Sequence, residues 1–214
     1  MNKTLTKKSQ TLKRITGRVV ALALFGLLLA PISSFAQYTQ PGHYYGCCYN
    51  GGTQRYAAIE EVTIKDQSGN TVYTKAGDGC TSCPNFNSTA GHFNLIQSTS
   101  GFTLSAGATY TFNMSTSNPS GSTIQSTAGV WFDFNGDEDY ADAGEFVSPT
   151  SWVFAVGNLQ SFTFTVPCGG TTGDIRMRVR TDYQYYPWTA AKHSADRATG
   201  RVYYGETEDY VCTY

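Results

Sequence analysis

Short stretches of alternating apolar and polar residues recur along the chain after residue 36. Side chains that alternate in this way lie on opposite sides of a β-strand, so each stretch predicts a strand with one buried face. Glycine, asparagine and proline mark turns between the stretches, and no segment keeps a helical period. The predicted strands are residues 59–65, 109–114, 130–134, 161–166, 175–180 and 209–213.

This succession of strands predicts an all-β protein, most simply a two-sheet antiparallel β-sandwich of Ig-like or jelly-roll-like type. The chain contains no internal repeat and no interdomain linker. Residues 37–214 are therefore expected to form a single domain.

The first 36 residues have a different composition. Six basic residues and no acidic residue precede or flank the apolar run from Val19 to Ala30, and Ser34-Phe35-Ala36 places small residues where a signal peptidase reads them. We interpret residues 1–36 as a secretory signal, which makes the protein secreted, extracellular or attached to the cell surface. A retained membrane anchor is the alternative, but the run is shorter than the about 20 residues that a span requires.

Removal of this segment changes the charge of the chain. Six of the 15 basic residues and none of the 16 acidic residues lie in it, which leaves nine against 16 and a net charge of -7. An acidic domain does not attract nucleic acid through a basic field, so no nucleic acid partner is expected. Contact with a membrane is expected only through the signal segment during export.

All six cysteines lie after the signal segment: Cys47, Cys48, Cys80, Cys83, Cys168 and Cys212. An even number of cysteines in an exported chain predicts a fold stabilised by disulfides. Fifteen pairings are possible. The Cys80-x-x-Cys83 spacing also fits half of a zinc site, although adjacent cysteines would make an awkward second half.

An acidic loop follows the strand at 130–134. Acidic and amide side chains at alternate positions of a tight loop can converge on one hard cation, which takes six to eight oxygens. The spacing predicts a calcium site, in which either Asp142 or Glu145 completes the coordination shell. A solvated acidic turn is the other interpretation, and the positions of glycine and glutamate exclude a standard EF-hand. The predicted ligands are Asp133, Asn135, Asp137, Asp139, Asp142 and Glu145.

Two later segments carry charge on one face of a strand. In residues 175–180 the arginines, among them Arg176 and Arg178, alternate with core-forming residues. In residues 205–212 the acids Glu206 and Glu208 likewise share a face. If the two strands are hairpin neighbours, Arg-to-Glu ion pairs across the sheet are expected, and we favour this structural role over a catalytic one.

With these segments placed, the chain resembles the GEVED domain of exported bacterial proteins. The C-terminal motif reads Gly205-Glu206-Thr207-Glu208-Asp209, with Thr207 in place of valine, a change that keeps the β-branched shape. The resemblance also covers the loop led by Trp131, the arginine strand and the opening from Tyr45 to Cys48. It implies a secreted or cell-surface β-sandwich module with no established catalytic activity.

The resemblance also implies a disulfide pattern. An early cysteine in the family commonly pairs before the next aromatic segment, which suggests that Cys47 and Cys48 pair with Cys80 and Cys83. Cys168 would then pair with Cys212.

An aromatic run between the two charged strands is a candidate contact surface, because exposed aromatic rings usually have a partner. The rings could instead fold back over the end of the sandwich. Its members are Tyr183, Tyr185, Tyr186 and Trp188. We predict a non-enzymatic module with a structural, adhesion or protein-interaction role. The alternative is a carbohydrate-binding module that presents this loop to a glycan.

Overall fold

The computed structural model describes residues 38, 48–49, 54–55, 57–76, 93–96, 101–117, 125–150, 152–155, 157–184, 197–200 and 205–214, with backbone only at 48–49, 54–55, 93–96, 153–155 and 183–184. All of them belong to one compact unit, Gln37–Tyr214. The predicted signal, residues 1–36, lies outside the described residues. None of the described residues forms a helix with the length and apolar character that a membrane span requires.

The described part of the chain is built from β-strands, which confirms the all-β prediction. Strand formation follows the alternation of the sequence, and Ile59–Lys65 has the predicted bounds. The strands are β1 Cys48–Tyr49, β2 Gln54–Arg55, β3 Ile59–Lys65, β4 Thr71–Ala76, β5 Phe93–Ile96, β6 Phe102–Thr103, β7 Thr109–Thr116, β8 Gln125–Phe132, β9 Val153–Ala155, β10 Gln160–Thr165, β11 Asp174–Gln184 and β12 Thr207–Thr213.

The strands form two main sheets. One has the order β10-β7-β3-β4, and the other has the order β5-β12-β11-β8-β9, with β6 also paired to β12. A separate pair joins β1 to β2. Most pairings are antiparallel as predicted, but β12 is parallel to both β5 and β6. Parallel neighbours need a long crossover connection. The strands from β7 to β11 all lie in sequence between β12 and its partners β5 and β6. Local spacing therefore did not reveal these pairings.

The largest apolar cluster among the described residues includes side chains from both main sheets, which indicates sandwich-like packing. Tyr73 of β4 meets Tyr210 of β12 edge-on, with ring centroids 5.8 Å apart. Phe132 of β8 stacks on Phe164 of β10 at 5.0 Å. These contacts between sheets fix which face of β8, β11 and β12 points inward.

The opposite face of the larger sheet is also covered. The register places Arg178 between Asp209 of β12 and Trp131 of β8. Trp131 packs in a second small cluster with Tyr140 and Ala198, and the half-buried rings of Tyr38 and Phe146 lie against it. Charged side chains on this face therefore lie under a second layer, and the acidic loop supplies part of that layer.

The disulfide predicted between Cys168 and Cys212 is wrong. Both cysteines are free, and they are the two whose side chains the structure describes. Cys212 is buried in the core beside Ile175, while Cys168 is exposed in the turn after β10. Burial in the apolar core raises the pKa of the Cys212 thiol well above its ordinary value. The predicted pairing of Cys47 and Cys48 with Cys80 and Cys83 falls outside the described side chains.

Candidate metal site

The acidic loop is organised by the first carboxylate after β8. Asp133 is fully buried, and its Oδ1 accepts hydrogen bonds from the backbone N–H groups of Gly136 and Asp137 at 2.7 and 3.2 Å. Its Oδ2 accepts from the N–H of Glu138 at 3.1 Å. The chain turns through left-handed backbone at Gly136 and at Glu138, where φ is 72° and 70°. The Asp133 carboxylate thus accepts the hydrogen bonds of three successive backbone N–H groups, which would form backbone hydrogen bonds in a strand.

Three acidic side chains meet at the inner side of this loop. Asp133, Asp137 and Glu145 each offer a carboxylate oxygen within 4.8 Å of the others, and Asp137, Asp139 and Asp142 do the same at the surface. Asn135 joins both groups, because its Nδ2 donates to Asp137 Oδ2 at 2.9 Å and to Asp142 Oδ2 at 2.5 Å. The structure therefore brings together all six residues that the sequence predicted as ligands.

Glu145 is the member with the least satisfied side chain. Only 2% of its surface is exposed. Its Oε2 accepts a hydrogen bond from the N–H of Asp142 at 3.2 Å, but its buried Oε1 has no hydrogen-bond partner among the described residues. Burial, with the negative charges of Asp133 and Asp142 nearby, raises the pKa of Glu145 to about 7. A buried carboxylate oxygen is costly when it has no partner.

The backbone holds the two ends of the loop together. The N–H of Phe132 donates to the carbonyl of Glu145 at 2.9 Å, and Trp131 forms an antiparallel bridge with Phe146. Thr171, in the turn before β11, donates its N–H to the carbonyl of Phe134 at 3.0 Å and its hydroxyl to the carbonyl of Asn135. Asp133 and Glu145 are therefore fixed close to each other by strand pairing as well as by the loop.

Tyr38 also contacts the site, and sequence reasoning missed it. Its hydroxyl donates to Asp133 Oδ2, its ring covers the Arg176 guanidinium at 3.9 Å, and it lies 5.5 Å from the ring of Tyr140. Burial and the hydrogen bond to Asp133 raise the pKa of Tyr38 well above its ordinary value. A single tyrosine that lies 95 residues before its partner carries no local signal that could have revealed this contact.

The second acidic segment, at residues 205–210, is organised differently. Arg178 donates to both carboxylate oxygens of Asp209, at 2.7 and 2.8 Å, and both side chains are fully buried. Arg176 lies 3.8 Å from the same carboxylate. Arg180 donates to the Thr207 hydroxyl at 3.0 Å and to the carbonyl of Gly200 at 2.6 Å. β11 and β12 are neighbours, but the register places Asp209 and Thr207 opposite the arginines, so the predicted Arg-to-Glu pairing is wrong.

Glu206 and Glu208 instead lie on the inner face. Glu208 forms an ion pair with Lys75 of β4 at 2.7 Å and accepts a hydrogen bond from the Tyr210 hydroxyl. Glu206 Oε2 accepts from the N–H of Ile59 at 2.8 Å. Burial, reinforced by Glu206, raises the pKa of Glu208 to about 7, and Lys75 opposes the shift. Both glutamates connect β12 to the smaller sheet.

These two acidic segments lie within one recognisable family match. The family model for the GEVED domain matches residues 127–213. A GEVED domain therefore spans residues 127–213. The GEVED domain covers the strands from β8 to β12, and with them the acidic loop, the arginine strand and the buried motif. A search of the curated proteins finds no match.

The aromatic run lies at the end of β11 within the GEVED domain. Tyr183 is described through its backbone alone, and Tyr185, Tyr186 and Trp188 lie outside the described residues. The contact surface predicted there stays a prediction.

Proposed function

We propose that this protein is a non-catalytic, secreted or cell-surface module whose acidic loop binds calcium to stabilise the fold, and which contacts a protein or glycan at the cell surface. The observation that carries the calcium proposal is the buried Oε1 of Glu145, which has no partner among the described residues and lies in a cluster with Asp133 and Asp137. The family match and the β-rich fold are consistent with a non-catalytic module.

The chemistry of the cluster favours a hard cation. Its six members offer carboxylate and amide oxygens, which suit calcium better than metals that prefer imidazole or thiolate. Calcium tolerates six to eight ligands in irregular geometry, whereas magnesium requires a near-ideal octahedron and keeps several waters. An irregular set of side chains from one loop, partly buried and partly exposed, therefore fits calcium.

A structural role follows from the position of the loop. An ion held by Asp133 and Glu145 would connect the end of β8 to the segment that pairs back on Trp131. The same loop carries Tyr140, whose ring lies 4.7 Å from the guanidinium of Arg178. Calcium would therefore stabilise the layer that covers the buried arginines, because the unfolded chain cannot hold the ligands together.

Calorimetric titration with calcium tests this proposal. We expect the wild-type protein to bind calcium and Glu145→Gln to bind it at least about tenfold more weakly, because the substitution removes a buried anionic ligand. Glu61→Gln is the matched control, since Glu61 is an exposed glutamate of β3 whose carboxylate accepts from the Thr63 hydroxyl at 2.8 Å. Equal affinities of wild type and Glu145→Gln, or no binding by wild type, would overturn the proposal.

A further inference from the structure

The carboxylate at the centre of the loop is already saturated with hydrogen bonds. Asp133 accepts four donors, namely the backbone N–H groups of Gly136, Asp137 and Glu138 and the hydroxyl of Tyr38. An ionised carboxylate offers about four lone-pair sites, so none is left for a cation. Calcium can bind Asp133 only if one of these donors leaves.

The four donors differ in how easily they can leave. The three amides are part of the turn itself, and losing one would change the backbone at Gly136 or at Glu138, where φ is 70°. The Tyr38 hydroxyl comes from a distant segment, and its removal from Oδ2 leaves all three amide hydrogen bonds intact. Tyr38 is therefore the donor that a cation would displace.

The surroundings of Tyr38 allow this displacement. Its ring is held from one side by the Arg176 guanidinium at 3.9 Å and touches Tyr140 at a centroid distance of 5.5 Å. Arg176 keeps Asp209 at 3.8 Å as a second partner, so its charge stays compensated when the ring leaves. The loss is one hydrogen bond and the two ring contacts with Arg176 and Tyr140, and the gain is a cation on a buried carboxylate.

We propose that Tyr38 is a displaceable plug on the acidic loop, so that calcium and the Tyr38 hydroxyl compete for Asp133 Oδ2. This inference rests on the proposed calcium site and adds its regulation. Contact of Tyr38 with Asp133 lowers the calcium affinity, and calcium releases Tyr38 from Arg176 and Tyr140.

The test compares Tyr38→Phe with Tyr140→Phe in calorimetric calcium titrations. Tyr38→Phe removes the competing donor and keeps the ring, so calcium should bind up to about tenfold more tightly, the effect of a hydrogen bond to a charged group. Tyr140→Phe is the matched control, because its ring is in the same stack and its buried hydroxyl has no hydrogen-bond partner among the described residues. Its affinity should equal that of wild type.

A second measurement follows the ring of Tyr38 directly. In protein with ¹³C-labelled tyrosine, the NMR signal that disappears in Tyr38→Phe should move towards the position of an exposed tyrosine when calcium is added to wild type. Equal or weaker calcium binding by Tyr38→Phe, or a Tyr38 signal that calcium leaves in place, would overturn the plug while the calcium site stands. If wild type does not bind calcium, the site fails and the plug fails with it.

Discussion

The two acidic segments of this chain both contain buried carboxylates close together, but the groups that interact with those carboxylates differ. In the motif at 206–209, two buried carboxylates form ion pairs: Asp209 with Arg178 of the neighbouring strand β11, and Glu208 with Lys75 of β4 in the other sheet. In the loop at 133–145, the carboxylates accept hydrogen bonds from backbone amides, from Asn135 and from Tyr38. Within the part of the chain that the structure describes, no ion pair reaches the loop.

The difference shows that acidic residues alone do not define a cation site. The motif is as acidic as the loop, but Asp209 and Glu208 each have a cationic partner inside the fold. The loop holds its acids close together without a compensating cation among the described residues, and Glu145 Oε1 has no partner there. The source of the counter-charge, rather than the number of acids, therefore separates a structural motif from a candidate metal site.

The largest expected effect comes from removing Asp209 from the motif, and removal of Asp139 from the loop is the comparison. Asp209→Ala leaves the guanidinium of Arg178 buried without its main partner and should cost about 3–5 kcal/mol in the free energy of unfolding. Asp139→Ala, in the exposed part of the loop, should cost no more than about 1 kcal/mol in the presence of chelator. Urea unfolding measures both. Similar costs would show that the two segments do not differ as described.

A second prediction concerns the glycine that begins the motif. A Cβ at Gly205 would lie 2.0 Å from the carbonyl oxygen of Thr181, and φ is 152°. Gly205→Ala should therefore destabilise the protein by about 2 kcal/mol or more, because the backbone at Gly205 must move away from Thr181 of β11. Gly69→Ala is the control, since Gly69 also has a positive φ but an added Cβ meets open space, and the cost there should be about 1 kcal/mol. Equal thermal midpoints for the two variants would contradict the close approach.

A third prediction concerns pH. The folded pKa of Glu208 is raised from 4.5 to about 7, so between these values the folded protein keeps a proton that the unfolded chain has lost. Stability from this group is therefore present below pH 4.5 and declines as the pH rises towards 7. Glu208→Gln should flatten this part of the curve of unfolding free energy against pH, measured at constant saturating calcium. Lys75, Glu206, Tyr73 and Tyr210 surround the group and stay unchanged in the variant. Parallel curves for the two proteins would contradict the assignment.

The strands and the acidic cluster were predictable because both depend on local spacing. Alternation placed β3, and the close spacing of acidic and amide residues after β8 indicated the six residues that the structure brings together in the loop. The partners of the arginines were not predictable, because a shift of one residue in register exchanges the two faces of a strand. The sequence indicated that Glu206 and Glu208 share a face, but only the register shows that Asp209 lies opposite Arg178.

Long-range contacts account for the other differences. Tyr38 reaches Asp133 across 95 residues, and Lys75 reaches Glu208 across 133. The parallel pairing of β5 and β6 with β12 is also remote in sequence. The disulfide between Cys168 and Cys212 followed from family resemblance and cysteine parity, neither of which constrains where a side chain lies. Burial of Cys212 in the core separates it from the exposed Cys168.

The most direct test of the central claim, that the loop takes its counter-charge from calcium, is the thermal midpoint with saturating calcium and with chelator. At a calcium concentration about 100 times the dissociation constant, binding adds about 2.7 kcal/mol, which corresponds to a rise of about 5–10 °C for a domain of this size. We expect this rise in wild type and its loss in Glu145→Gln. An unchanged wild-type midpoint would contradict the claim and leave the loop as a solvated acidic turn.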